Sequence, residues 1–342
     1  MLRPVSGEPA ASAWNVARRA PRTAEIRPLT RRAVLAAVPL AALLTASAVA
    51  PAGAEAYSHR KSVGLPPAPA ISARTLSRLR WISGVTDATP ESFGTWRGTP
   101  VAIAGMFGDA TVAQQLQQWQ FVHSTFRGDV DLAVGGPIDR SWAQAAAGSE
   151  IPRWKAMAAV LRANWHYHTV FLRYAHEANG TWMPWSVAPS DLWAFKKVFR
   201  SFAATMRHEL RGHDVKIVFA PNFGTWPYPP DSMWPGSDVV DVVGVSSYEW
   251  VPYDTPEKWA SFLQSSIGPD YWLAYAKRHG KAMAFSEWGA QSPYFVKAMN
   301  GWMAAHAGQG AGQFRYDVYL NGNELVLTGD KASQYRSLHW GR

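Results

Sequence analysis

The sequence predicts an α/β fold of the (β/α)8, or TIM-barrel, kind, and three observations carry that expectation. Short apolar runs alternate with helical patterns from about residue 72 to the end of the 342-residue chain, the signature of a parallel sheet built from βαβ units. Eight such runs fall within ~270 residues, a barrel's strand number and length. Polar clusters stand at the C-terminal ends of runs four to eight, the face on which barrels carry their sites. An open doubly wound sheet is the rival, but no glycine-rich phosphate turn follows an early strand.

Strands are expected at 81–85, 101–107, 131–134, 169–176, 216–220, 239–245, 282–285 and 314–320. Each is a short, mainly apolar run bounded by turn formers or polar residues. A helix at 111–120 follows the second strand. Pro152 reads as the first-turn proline of a helix reaching about 164. Ser190 and Asp191 are expected to cap a long helix that ends near Arg211 and Gly212. Residues 259–279 read as mostly helical, 294–306 as a helix, and 331–338 as a closing amphipathic piece. Phe195, Phe199 and Phe202 recur at helical spacing and belong to the core.

Composition narrows the chemistry. Apolar residues make up 47% of the chain, enough for a large core. There is no cysteine, which excludes disulfides, thiolate metal sites, a cysteine nucleophile and a lipid-modified cysteine. Eighteen tryptophans are a heavy aromatic load, suited to polysaccharide binding or to a Trp-rich core. The net charge of +9 is partly a leader effect, because residues 1–56 hold seven Lys or Arg against three Asp or Glu. The remainder is +5, from 34 − 7 = 27 basic and 25 − 3 = 22 acidic residues. Its basic residues are scattered rather than striped, so nucleic acid is not an expected partner.

Thr30-Arg31-Arg32 precedes an apolar run over 33–50, broken by Pro39, Thr45 and Ser47 and followed by small-residue cleavage candidates. This reads as an export signal, and the paired arginines give it a twin-arginine character, with Val34 where Phe is usual. The run is Ala-rich and barely long enough to span a bilayer, so cleavage without stable membrane insertion is expected. The domain plan is therefore a disordered leader with an export signal over 1–56, a linker over 57–72 and a catalytic domain over 73–342, secreted and monomeric.

The stretch from Phe171 to Trp185 organises the rest. An apolar strand runs into Arg173, His176 and Glu177, then an Asn179-Gly180 turn, then Trp182 and Trp185. A carboxyl beside exposed aromatic rings suits sugar cleavage, since the carboxyl moves protons and flat rings stack on pyranose faces. His-Glu is not a zinc-protease helix here, because Gly180 stands where the second histidine would be. A second isolated glutamate, Glu287, follows the seventh strand in Ser286-Glu287-Trp288-Gly289.

Arg173, His176, Glu177, Asn179, Gly180, Trp182 and Trp185 resemble the corresponding run of glycoside hydrolase family 26, which holds many endo-β-mannanases; Ala178 stands where that family has Met. The 286–289 run resembles the nucleophile strand of the same family and of its retaining barrel clan. The resemblance implies Glu177 as acid/base and Glu287 as nucleophile. It implies Tyr248 as the hydroxyl that bonds the nucleophile, His176 as the neighbour of the acid/base, and Trp182 as an aromatic platform. It weakens at the eighth strand, where Tyr319 and Asn321 stand in place of a frequent Trp.

Arg173 lies four residues before Glu177, so on a continuous strand it shares that face and steadies a carboxylate. Asn222, Trp226 and Trp288 are further candidates for binding or support. Trp226, Trp182 and Trp185 are candidate stacking platforms, and core packing is an equal reading for each of these three. Asp87, Asp109, Asp139 and Glu249 are competing carboxylates, with Asp87 and Asp109 placed either to bind sugar hydroxyls or to cap loops. Glu249 is expected to point away from the mouth if Tyr248 points in. The ten histidines form no metal set, and His166 and His168 read as structural. No cofactor or metal is expected. The expected function is retaining hydrolysis of β-1,4-mannan or a related β-glycan. The alternatives are β-1,3-xylan or mixed-linkage glucan hydrolysis, or a catalytically silent glycan-binding barrel.

Overall fold

Eight strands pair in sequence order and the last closes on the first, every pair parallel. The computed structural model describes residues 78–341 apart from 87–88, 109–125, 139, 166–167, 225 and 266. The leader, the linker, the helix expected at 111–120, Asp87, Asp109, Asp139 and His166 lie outside the described residues.

The strands are β1 (Ile82–Thr86), β2 (Ile103–Gly108), β3 (Asp129–Val134), β4 (Thr169–Tyr174), β5 (Asp214–Phe219), β6 (Val242–Tyr248), β7 (Ala282–Gly289) and β8 (Phe314–Leu320). The described helices are α1 (Pro90–Arg97), α2 (Trp142–Ala146), α3 (Ile151–Ala163), α4 (Leu192–Glu209), α5 (Pro256–Gln264), α6 (Pro269–Arg278), α7 (Pro293–His306) and α8 (Gly329–Ser337). The barrel expectation holds, with corrections at particular elements. The helical stretch expected over 259–279 is two helices, because Pro269 opens α6 after a break whose carbonyls leave no room for a side chain at Gly268. Helices α1 and α2 were not anticipated; both are short and carry little apolar periodicity. Asp191 precedes α4 but makes no capping side-chain bond, since a 3-10 turn at Pro189–Asp191 leads into the helix instead.

Two apolar layers sandwich the sheet. Inward residues such as Ile103, Phe171, Val218, Ala284 and Val318 fill the barrel. The outer layer packs strands against helices, and α4 shows how: Phe195, Val198, Phe199, Phe202 and Met206 form one buried stripe. Each such side chain contributes roughly 1.5–3 kcal/mol by burial. No described helix is long and apolar enough to cross a membrane.

Two irregularities position the site. Strand β7 carries one extra residue relative to both neighbours, between Gly244↔Ala284 and Ser246↔Glu287 on one side and between Phe285↔Asp317 and Trp288↔Tyr319 on the other. Such a bulge re-aims a side chain. Ser286 faces inward against Gly244, and Glu287 also turns inward while Trp288 turns out. The second lies past β4, where Ala175 and Glu177 take left-handed backbone angles, φ 49° and 53°. For residues with a Cβ this costs ~1–3 kcal/mol each, and such strain gathers at functional sites.

Candidate active site

Two buried glutamates at the C-terminal end of the barrel form the centre, each held differently. Glu177 follows β4 on the turn rather than on the strand, and its own N–H donates to the Ala220 carbonyl at 2.7 Å. Its carboxylate accepts from the Asn222 side-chain amide at 2.9 Å and from the Trp182 indole N–H at 2.8 Å. Asn222 is itself fixed by Asn179, which donates to its carbonyl at 3.0 Å and accepts its N–H at 2.9 Å. Glu177 is thus surrounded by neutral donors.

Glu287 sits within β7 and meets a cation and a phenol. The Arg173 guanidinium donates to Glu287 Oε2 at 3.1 Å, and the Tyr248 hydroxyl bonds Oε1. Arg173 is fully buried and also bonds Asp131 of β3, whose other oxygen accepts from the Tyr316 hydroxyl at 2.7 Å. Burial pushes the Glu287 carboxyl up to about 8; Arg173 opposes the rise, and the charges of Glu177 and Asp131 add to it. Burial likewise raises Asp131, against the pull of Arg173 and Tyr316. His176 is held neutral, first by burial and then by the charge of Arg173. Its ring packs edge-on against Trp185 and lies near Phe107.

The candidates divide accordingly. Glu177, Glu287, Arg173, Tyr248, Asn222 and Trp182 are connected by the hydrogen bonds above, with His176 beside them. Arg173 does not share a strand face with Glu177 as expected: β4 ends at Tyr174, and the guanidinium serves the other glutamate. Trp182 is 54% exposed while its indole N–H is anchored on Glu177. Gly180 permits this, because a Cβ there would lie 2.3 Å from the Trp182 ring. An open, anchored ring is suited to stacking on sugar.

Three tryptophans stand elsewhere. Trp288 is fully buried on the outer side of β7, donating to Asp317 at 3.0 Å and packing on Tyr319 and Trp340. Trp185 is buried, with its indole N–H on the His176 carbonyl at 2.8 Å. Trp226 packs against Tyr228 and against Trp272 of α6. Tyr319 is buried with its hydroxyl on the Leu325 carbonyl at 2.6 Å, and Asn321 accepts the Leu327 N–H at 2.9 Å. Glu249 points away from the mouth and holds the start of α7, accepting from Gln291 N–H, Ser292 N–H and the Ser292 hydroxyl, each at 2.7 Å.

Sequence reasoning missed Asp131, Tyr316 and Trp250. A carboxylate opening an expected buried strand was the available signal for Asp131, since such a group needs a partner. Trp250 is 52% exposed and its ring lies 5.1 Å from that of Tyr248; nothing in the sequence distinguished it from a surface residue. Among the described residues no His/Asp/Glu group of three or more is arranged to hold a metal ion.

Residues 156–314 match the model of Glycosyl hydrolase family 26. The structure is similar to the catalytic domain of a GH26 endo-β-1,4-mannanase from Bacillus sp. JAMB-750, at 15% identity and TM-score 0.53, covering 77% of this chain and 86% of that one. It is similar to a modular endo-β-1,4-mannanase from Cellulomonas fimi at 15% identity and TM-score 0.53, covering 75% and 67%. It is also similar to the YdhT protein from Bacillus subtilis at 15% identity and TM-score 0.51, covering 78% and 92%. At such identity the likeness speaks for the barrel alone. No curated protein matches the chain.

Proposed function

From the premise that this chain is a glycoside hydrolase carrying a family 26 domain, we propose that it hydrolyses β-1,4-mannan or a related β-glycan with retention of configuration, outside the cell. The observation that carries the proposal is the pair of buried glutamates in contrasting surroundings, one among neutral donors and one against a guanidinium and a phenol. Separated environments are how two carboxyls take acid and nucleophile roles.

In this reading Glu177 gives its proton to the glycosidic oxygen as the Glu287 carboxylate attacks the anomeric carbon. The C–O bond to the leaving sugar breaks and a glycosyl ester forms on Glu287. The Glu177 carboxylate then takes a proton from water, whose oxygen attacks the same carbon and frees Glu287. Arg173 and Tyr248 orient Glu287 for attack and receive its charge on departure. Asn222 and the Trp182 indole orient Glu177, and the Trp182 ring offers a face to the sugar. The chemistry requires no cofactor or metal.

Product release from β-1,4-mannan, β-1,3-xylan and mixed-linkage glucan identifies the polymer, and the anomer first released, read by NMR, identifies the stereochemistry. Release from mannan with retention is expected. Inversion, or carboxyls ~9 Å apart in a crystal structure instead of the ~5–5.5 Å of retaining enzymes, would refute the double displacement. Release from xylan or mixed-linkage glucan alone would move the substrate within the family, and binding without release from any polymer would leave a silent barrel. The leader over 1–56 and the linker over 57–72 are proposed to export the 73–342 domain as a monomer. Sequencing the N-terminus of the protein recovered from the medium tests the cleavage.

A further inference from the structure

Arg173 is the only positive charge bonded to either glutamate among the described residues, and it is shared. One edge of the guanidinium faces Glu287 and another bonds Asp131, a side chain with no exposure and no route to substrate. Asp131 is anchored in turn by Tyr316, which projects inward from β8. Around Glu287 the ionisable groups are Arg173 and Glu177 from β4 and its turn, Asp131 from β3 through Arg173, and Tyr248 from β6. Tyr316 from β8 acts through Asp131, and neutral His176 stands beside Arg173.

A guanidinium bonded to Glu287 alone would hold that carboxylate strongly as an anion. It would then be a reluctant nucleophile, though a ready leaving group. Dividing the guanidinium between two carboxylates lets one orient it and take part of its charge. We propose that Asp131, anchored by Tyr316, is a positioning residue of the glycosidase reaction: it aims Arg173 at Glu287 and offsets its charge, setting the basicity at which Glu287 attacks. The inference rests on the proposed role of Glu287. The alternative is a buried counter-ion for Arg173 with no influence on the reaction.

The two differ in the pH profile. In full-length Asp131→Asn the guanidinium charge falls undivided on Glu287, so Glu287 ionises at lower pH. The acid limb of kcat/KM on a dinitrophenyl β-glycoside is expected to move acidward by about half a unit or more. kcat is expected to fall ~10- to 100-fold from the misaimed guanidinium, with KM changing less. Tyr316→Phe keeps the carboxylate and nearly the same volume, and serves where Asp131→Asn does not fold. Without its phenol donor Asp131 takes up a proton more readily, so the limb moves the same way by a smaller amount. An unmoved limb with wild-type kcat and only a lower melting temperature, in either folded variant, overturns the proposal, as does an alkaline shift. Glu287→Ala separates the failures. If it is inactive while the limb of Asp131→Asn stays put, this inference alone falls. If it remains active, the catalytic reading falls and takes the inference with it.

Discussion

The two glutamates differ in backbone as much as in partners. Glu287 is carried by a strand, paired with Ser246 of β6 and turned inward by a bulge against β8. Glu177 is carried by a turn with two left-handed residues, and its carboxylate is positioned by side chains from two loops. The group proposed to form a covalent bond thus sits on a paired strand. The group proposed to move protons sits on a turn held by backbone and side-chain hydrogen bonds. Charge follows the same division. Arg173 favours the anion at Glu287, whereas Asn222 and Trp182 bring no net charge to Glu177.

The sharpest way to break this contrast is to remove each carboxyl. Glu287→Ala should lose about 10^4-fold or more in kcat on every substrate, because no other group can form the ester. Glu177→Ala should lose ~10²–10⁴-fold on polysaccharide. On a dinitrophenyl glycoside its first step should be nearly spared, and azide should restore turnover by attacking the glycosyl ester without a general base. Equal losses on the activated substrate with no azide rescue would dissolve the distinction.

The tryptophans extend the comparison to the two sides of the barrel wall. Trp288→Ala opens a cavity around Tyr319 and Trp340 and leaves Asp317 without one of its indole donors, so a stability loss of ~3–5 kcal/mol is expected. Trp182→Ala removes an exposed ring and one donor to Glu177. It should cost ~1–3 kcal/mol of sugar binding, roughly 5- to 150-fold in kcat/KM, with melting little changed. Thermal melts beside kinetics separate the two. A collapsed melting temperature for Trp182→Ala with normal specific activity would make it packing.

The barrel was legible because period and order suffice to count strands, and strand 314–320 is found as expected. Glu177 and Glu287 stood out as isolated carboxyls among aromatics at strand ends. What stayed hidden depends on backbone departures that leave no periodic trace. The bulge in β7 decides that Trp288 faces outward, and a plain reading of Ser286-Glu287-Trp288 does not reveal it. The early end of β4 decides that Arg173 serves Glu287 and not Glu177. Asp131 was visible only as the first residue of an expected strand, and its meaning depends on Tyr316, 185 residues away.

The last expected effect concerns stability and sets Glu287, the proposed nucleophile, beside buried carboxyls remote from it. Burial raises Asp129 to about 7 and Asp317 to about 6, as it raises Glu287 to about 8. A carboxyl whose pKa is higher folded than unfolded binds its proton more tightly in the native state. Its contribution is complete below the unfolded value, near 4, and is lost as pH rises through the folded value. Folding should therefore weaken steadily between pH 5 and 8, while in the proposed mechanism ionisation of Glu287 should make the first chemical step faster over the same range. Exposed acids act only at lower pH, since Asp238 and Asp254 are held down by hydrogen bonds from Arg200 and Lys258. The melting temperature should therefore be higher at pH 5 than at pH 8. Asp129→Asn should flatten that slope below about pH 7 with kcat/KM unaltered in its pH profile, whereas Glu287→Gln should flatten it across the whole range up to about pH 8 and abolish turnover. A melting temperature that climbs from pH 5 to 8 would show that these carboxyls are ionised and paired in the fold, and that Glu287 is no different from its remote neighbours.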